Sequence, residues 1–180
     1  MSLLSESKYK RYIRTVPDYP IEGVNFYDMN SLFASDLWRE VVVDIADAVE
    51  YQLEHKPTHI VGIESRGFVV GAAVSQVLGV PFVMIRKKGA KYPGSLLKET
   101  YDLEYGSDTL VLQEGILGHT SRVLLADDLI ATGGSAIASK KLCEQTGANV
   151  LGIISLINLK YLNTLEFENI DVVYGEEVTE

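Results

Sequence analysis

Val123-Leu124-Leu125-Ala126-Asp127-Asp128-Leu129-Ile130-Ala131-Thr132-Gly133-Gly134-Ser135 passes from an unbroken apolar run, through two adjacent acids, to a Gly-Gly turn. Arg122 to Ala126 reads as a buried strand, since a short apolar run without alternation suits a strand covered on both faces. The spacing of Ala136, Ile137, Leu142 and Cys143 predicts a helix from Ser135 to Gln145, stopped by Gly147. In an open α/β sheet, ligands bind beyond the carboxyl ends of the strands, where Asp127 and Asp128 emerge. A helix N-terminus offers free amides to a phosphate, and Gly133-Gly134 let the backbone approach it closely. The acids would repel that phosphate, so they are read as acceptors for neighbouring ribose hydroxyls. As pure structure, Asp128 and Thr132 are also candidate helix caps, and the glycines a tight turn.

Working outward, the same texture recurs. Leu37, Val41, Ile45, Ala48, Val49 and Leu53 repeat at the helical period, which predicts a helix from Asp36 to Leu53. Ile60-Val61-Gly62-Ile63 reads as a strand, Phe68 to Leu78 as a helix ended by Gly79, Pro81 to Ile85 as a strand, and Val150 to Leu156 as a β-rich run. Strand, helix, strand repeated in this way predicts an α/β fold with a central, mostly parallel sheet flanked by helices. Lys87 to Leu97 is rich in Lys, Gly and Pro, and Thr100 to Leu112 looks like a two-stranded excursion turned at Gly106-Ser107. Residues 87–108 are read as a mobile flap. At the start, a helix is expected through Arg14, before Pro17-Asp18-Tyr19-Pro20 forces a turn. Residues 1–34 form an entry segment, and 1–180 are expected to be a single domain.

Composition narrows the function classes. A chain of 180 residues, 47% hydrophobic, can bury one core but is short for two domains. Val150 to Leu159 is interrupted by Gly152, Ser155 and Asn158, and no run approaches the roughly 20 apolar residues of a spanning helix. Lys8, Lys10, Arg11 and Arg14 are followed by no apolar segment, so no secretory signal is read. The single cysteine, Cys143, fits the inner face of a helix in a reducing, cytoplasmic setting. A net charge of −9 argues against nucleic-acid binding, so any anionic ligand must be held locally. Arg86-Lys87-Lys88 with Lys91 is one local basic run, which as bland structure is a solvated loop. His55, His59 and His119 lack the spacing of a zinc site, and neither Gly-Lys-Ser/Thr nor Gly-x-Gly-x-x-Gly occurs.

The segment from Val123 to Ser135 resembles the phosphoribosyl pyrophosphate (PRPP) signature of type I phosphoribosyltransferases. Three further stretches resemble the adenine phosphoribosyltransferase family within that group. They are Arg14-Thr15-Val16-Pro17-Asp18-Tyr19-Pro20 through Gly23-Val24-Asn25-Phe26-Tyr27-Asp28, Gly62-Ile63-Glu64-Ser65-Arg66-Gly67-Phe68, and Tyr101-Asp102-Leu103-Glu104-Tyr105-Gly106. In family terms these are the hood, the pyrophosphate loop and the flap. The resemblance implies that Ala131, Thr132, Gly133, Gly134 and Ser135 hold the 5′-phosphate, and that Asp127 and Asp128 hold the ribose hydroxyls. It further implies that Ser65, Arg66 and Lys87 serve pyrophosphate, and that Asn25, Phe26, Tyr27 and Leu129 form the base site. By the same resemblance Arg86, Lys88, Lys91, Tyr101 and Tyr105 are expected in the flap, and Glu104, near the base N7, and Arg66 are expected to be catalytic. Departures from the family pattern are Asn25 for an apolar residue, Tyr27 for arginine, Glu22 for proline, Ser135 for threonine, and an extra Ala90.

The implied reaction takes adenine and PRPP to AMP and pyrophosphate. Mg²⁺ enters with PRPP and is held mainly by its oxygens and by water, with no direct protein ligand. The family also implies a homodimer, with no nucleic-acid or membrane partner, and often a cis peptide at Glu64-Ser65. Two alternatives stand beside this reading: transfer to hypoxanthine, guanine or xanthine, and a non-catalytic PRPP-sensing regulator of the same fold.

Overall fold

The apolar runs of the sequence become the inner strands of one sheet. The computed structural model describes residues 9–103, 106–162 and 171–178. A 3-10 turn, Lys10–Tyr12, leads into β1 (Arg14–Val16), which pairs antiparallel with β2 (Phe26–Asp28). Arg14, the expected end of a helix, is therefore in a strand that follows a single 3-10 turn, and the part of that expectation before Tyr9 lies outside the described residues. Thr15 and Val16, β-branched, suit an extended chain, and Arg14 Nη2 reaches Asp28 Oδ2 across the pair at 3.0 Å. The turn at Pro17 to Pro20 holds a cis Tyr19–Pro20 bond, and Asp18 Oδ1 accepts from the Gly23 amide at 2.8 Å.

Beyond this entry segment come α1 (Asn30–Phe33), α2 (Trp38–Gln52), β3 (His59–Ile63), α3 (Gly67–Leu78) and β4 (Phe82–Lys87). The hairpin β5 (Leu96–Leu103) and β6 (Gly106–Gln113) follows, then β7 (Arg122–Ala126), β8 (Leu129–Ile130), α4 (Gly134–Gln145), β9 (Asn149–Leu159) and β10 (Asp171–Val178). Among the described residues the sheet order is β10-β9-β7-β3-β4-β6-β5, with β8 beside β9. The strands β10, β9, β7, β3 and β4 run parallel, and the hairpin joins antiparallel at the β4 edge. Gly106 and Ser107, expected as the turn, are already paired in β6 with Leu103 and Asp102. Neither β8 nor β10 is expected from the sequence. The first is only two residues long, and the second gains its partner from β9, a long-range pairing that local pattern does not carry.

Alternation along the buried strands sends side chains to two cores. Ile60, Leu124, Ala126, Ile154 and Leu156 pack with Val41, Ile45 and Val49 of α2, Val70 and Val74 of α3, and Met29 and Leu32 of the entry segment. Val61, Ile63, Val83, Ile85, Val123, Leu125 and Ile153 pack on the other face with Ala138, Leu142 and Cys143 of α4. Burial, and then the charge of Glu144, push the Cys143 thiol up to about 12, so it serves as a small buried hydrophobe.

The chain leaves β3 in one direction to build β4, and later places β7 on the other side of β3. That reversal is the switch point of the sheet, and Gly62 of β3 lies in register with Ala126 of β7 there. Gly67, at the start of α3, is pressed against the end of β7: an added Cβ would lie 2.5 Å from the Ala126 carbonyl oxygen and 3.1 Å from Asp127 Cα. Backbone gives way less readily than a side-chain tip, so Gly67→Ala is expected to push α3 off the switch point and cost about 1–3 kcal/mol. The check is a lower urea midpoint at unchanged m-value.

Candidate active site

The loops after β3 and β7 meet over the switch point and line a cavity of about 230 Å³. Glu64, Ser65 and Arg66 come from the first loop, Asp127, Asp128 and Leu129 from the second, Ser135 from α4, Lys87 from the end of β4 and Tyr101 from the hairpin. Residues far apart in the chain are thus gathered by one strand pairing. The Glu64–Ser65 peptide is cis.

The acid pair is held mostly by main chain. Asp127 Oδ1 accepts from the Asp128 amide at 2.9 Å, and the Asp127 amide donates to the Ile154 carbonyl at 3.0 Å. The Asp128 carbonyl accepts from the amides of Leu156 and Ile157, each at 3.1 Å. Asp128 is 4% exposed, and its Oδ2 lies 2.9 Å from Arg66 Nε, an ion pair without an aligned hydrogen bond, so that oxygen still lacks a well-placed donor. Burial, and then the charge of Asp128, push the Asp127 carboxyl well above its ordinary value. Burial raises Asp128 too, opposed by the Arg66 guanidinium.

Arg66 is the hub of the cavity wall. Besides its ion pair, its Nη1 donates to the Tyr27 carbonyl at 3.3 Å, and its guanidinium carbon lies 5.1 Å from the centre of the Phe26 ring. Tyr19 meets the same ring edge-on, with centroids 5.2 Å apart. The side chains of Tyr27 and Leu129 pack against the α2–α3 core, so it is the Tyr27 carbonyl that turns to Arg66. Asn25 is exposed.

The helix α4 begins after Gly133, whose φ of 85° is left-handed, and carries no side-chain cap. Asp128 and Thr132 are therefore not its caps, and the turn leaves the first amides of α4 to a ligand. Tyr101 lies over that end: a Cβ on Gly134 would come 3.1 Å from its Cδ2. Burial, then the charges of Asp108 and Asp127, raise the Tyr101 phenol, which keeps it a neutral hydroxyl. The hairpin is tied to α4 by Glu99, which meets Lys141 Nζ at 3.5 Å and accepts from Gln145 Nε2 at 3.1 Å.

Lys87 Nζ pairs with Asp108 at 3.6 Å. Lys88 and Lys91 are exposed on the loop after β4, and Arg86 turns to Glu64 and Tyr92, at 3.3 Å and 5.8 Å, so the basic run does not converge as one patch. Glu104 and Tyr105 lie outside the described residues. The sequence reading gave no role to Glu64, although it stands inside the quoted loop; only the fold shows its carboxylate turned to the end of β4. Among the described residues no group of three acids, histidines or cysteines could hold a metal, and no helix is long and apolar enough to cross a membrane.

Residues 37–174 match the phosphoribosyl transferase domain family. An adenine phosphoribosyltransferase of Rhodospirillum centenum is 45% identical over 155 residues, covering 86% of this chain and 88% of that protein. The crystal structure of APRTase from Giardia lamblia complexed with 9-deazaadenine superposes with a TM-score of 0.86 at 33% identity, covering 100% of this chain and 99% of the other. That of adenine phosphoribosyl transferase from Trypanosoma brucei in complex with AMP, pyrophosphate and ribose-5-phosphate gives 0.83 at 26% identity, over 96% of this chain and 80% of the other. With that domain match and a likeness that covers most of the chain, the chain belongs to the adenine phosphoribosyltransferase family.

Proposed function

We propose that this chain transfers the 5-phosphoribosyl group of PRPP to N9 of adenine, giving AMP and pyrophosphate, at the cavity between the β3 and β7 loops. The observation that carries the reading is the uncapped N-terminus of α4 beside the acid pair, because a phosphorylated ribose needs amides at one end and hydroxyl acceptors at the other. The 5′-phosphate sits on the backbone of Ala131, Thr132, Gly133, Gly134 and Ser135. Asp127 and Asp128 take the ribose hydroxyls, which give Asp128 Oδ2 the aligned donors it lacks in the free protein. Phe26 and Leu129 hold the purine by stacking and apolar contact, with main-chain groups around Asn25 and Tyr27 reading its edge.

The amides at the start of α3, with Ser65 and Lys87, hold pyrophosphate. As that group leaves, carbon C1 of the ribose gains oxocarbenium character and the negative charge grows on the departing oxygens, where these donors lie. Arg66 serves the leaving group by exchanging Asp128 for phosphate oxygens, as ribose hydroxyls take its place on the acid. Adenine N9 then attacks the opposite face, while Glu104 manages the proton at N7. The flap, with Arg86, Lys88, Lys91, Tyr101 and Tyr105, excludes water that would otherwise capture the cation. Two acids with one already paired to arginine make no metal cage, which fits Mg²⁺ carried by PRPP and reached by Asp127 and Asp128 through hydroxyls or water. When bound, Mg²⁺ neutralises pyrophosphate charge.

A homodimer suits the outer face of α3, which carries no charged residue and exposes Val69 and Val77 beside Met84 of β4. A cytoplasmic setting suits the phosphorylated co-substrate and the free Cys143.

The first test is AMP formation from PRPP with each purine base in turn, with and without Mg²⁺: adenine should be preferred, and a protein that binds PRPP without turnover would instead be a sensor. Asp127→Asn with Asp128→Asn is expected to weaken PRPP use by roughly 1.5–3 kcal/mol for each lost charge-assisted bond, with adenine binding little changed. Steady-state kinetics for both substrates decide it.

Asp127→Asn alone carries a stability signature. A folded-state carboxyl raised above its ordinary value means that the folded protein holds the proton more tightly, so stability falls as pH rises through that window. At neutral pH the amide, free of this penalty, should raise the melting temperature. The gain should shrink as pH falls through the raised value, and scanning calorimetry across pH reads it.

Glu104→Gln should lower kcat by about 10²-fold, the scale of a lost general acid or base, with the KM for PRPP nearly unchanged. Full activity in this variant would remove the proton-handling role.

A further inference from the structure

An acid in an anion-binding loop needs a reason. Glu64 precedes Ser65 and lines the cavity, where a free carboxylate would repel pyrophosphate. Both of its oxygens are instead turned to the end of β4. Oε2 accepts from the Lys87 amide at 2.7 Å, and Oε1 accepts from Arg86 Nη2 at 3.3 Å. The Glu64 amide donates to the Ile85 carbonyl at 3.0 Å, so main chain and side chain bind the same short stretch. Burial would raise this carboxyl, yet the Lys87 amide and Arg86 together hold it below its ordinary value, so it stays ionised.

That stretch is the root of the flap. At Arg86 and Lys87, β4 pairs with Val111 and Leu110 of β6, the Lys88 amide donates to the Thr109 carbonyl at 2.8 Å, and the chain then departs into the loop that reaches β5. The Lys87 side chain rests on Asp108 at 3.6 Å, at the rim of the same cavity. Beside the main-chain pairing of β3 with β4, the carboxylate therefore adds a second tie between the loop after β3 and the base of Lys87.

We propose that Glu64 is a positioning residue for the pyrophosphate subsite: its carboxylate clamps the Lys87 main chain, so that Ser65, the α3 amides and the Lys87 ammonium meet one ligand. It touches neither ribose nor base. The proposal rests on the reading above that this loop and Lys87 hold pyrophosphate.

The test compares Glu64→Ala and Glu64→Met, which remove the acceptor, with Glu64→Gln, which keeps one for the Lys87 amide. Methionine fills the space of glutamate, and so serves if the alanine variant does not fold. The KM values for PRPP and adenine and the inhibition constant of pyrophosphate are measured in each, with thermal melts to show folding. In the alanine and methionine variants the PRPP KM and the pyrophosphate inhibition constant should each rise about tenfold, the scale of one bond to a charged group. The adenine KM should stay within about twofold, and glutamine should recover most of the loss. Parallel changes for both substrates, unchanged pyrophosphate inhibition in a folded variant, or a glutamine variant as impaired as methionine would each overturn the clamp. AMP formation by the wild type checks the underlying reading separately, since its failure would sink that reading before any variant is compared.

Discussion

Everything at this site depends on how closely β3 and β7 approach at the switch point of the sheet. Gly62 pairs with Ala126, and one turn further on Gly67 lies against the Ala126 carbonyl with no room for a side chain. Because the strands are parallel and adjacent, the loops that leave their carboxyl ends cannot avoid each other. The loop after β3 brings helix amides and Arg66. The loop after β7 brings two acids and the start of α4. A register shift would reverse the faces of the β3 and β7 side chains and bury the wrong set, so the two apolar cores that select the register also select the site.

The electrostatic problem is to bind a polyanion on a chain of net charge −9. The solution is local. Amides at two helix starts carry partial positive charge without adding to the acid-base balance, and their effect fades within a turn. The adjacent acids, Asp128 buried and Asp127 half-buried, are held at a cost that the upward displacement of both carboxyls reflects. Arg66 relieves part of that cost in the free protein by pairing with Asp128. The same contact makes it a link between the entry segment and the loop after β7, since the guanidinium also meets Phe26 and the Tyr27 carbonyl. A ligand that reaches either side chain must therefore compete with an internal ion pair.

The hairpin is packed on the machinery that it covers. Glu99 binds it to α4, Tyr101 lies over Gly134, and Tyr92 donates to the Met84 carbonyl at 3.1 Å. The hairpin is also seated in the core beside α4, where Leu110 and Leu112 of β6 are fully buried and Leu97 of β5 packs against that core, while the Lys141, Gln145 and Lys87 links lie nearer the surface. The surface links contribute little net stability each, so burial of the apolar residues carries most of the hairpin's seating.

The sequence by itself determined the α/β class, the strand and helix from Arg122 to Gln145, and the acid pair before a glycine turn, because these rest on local periodicity and on residue types with few uses. It also marked Ser65-Arg66-Gly67 and Phe26, through a resemblance that the domain match and the full-length relatives bear out at the level of family. It misjudged Arg14, whose strand exists only by pairing with β2, and could not place β8 and β10, which depend on β9. Only the tertiary structure decided that Arg66 faces Asp128 and the hood, that Arg86 turns from the basic run to Glu64, and that Glu64 grips the main chain of Lys87. Those are contacts between residues over 20 positions apart, and a side chain's partner at that range is set by sheet order and packing, of which local sequence carries no record.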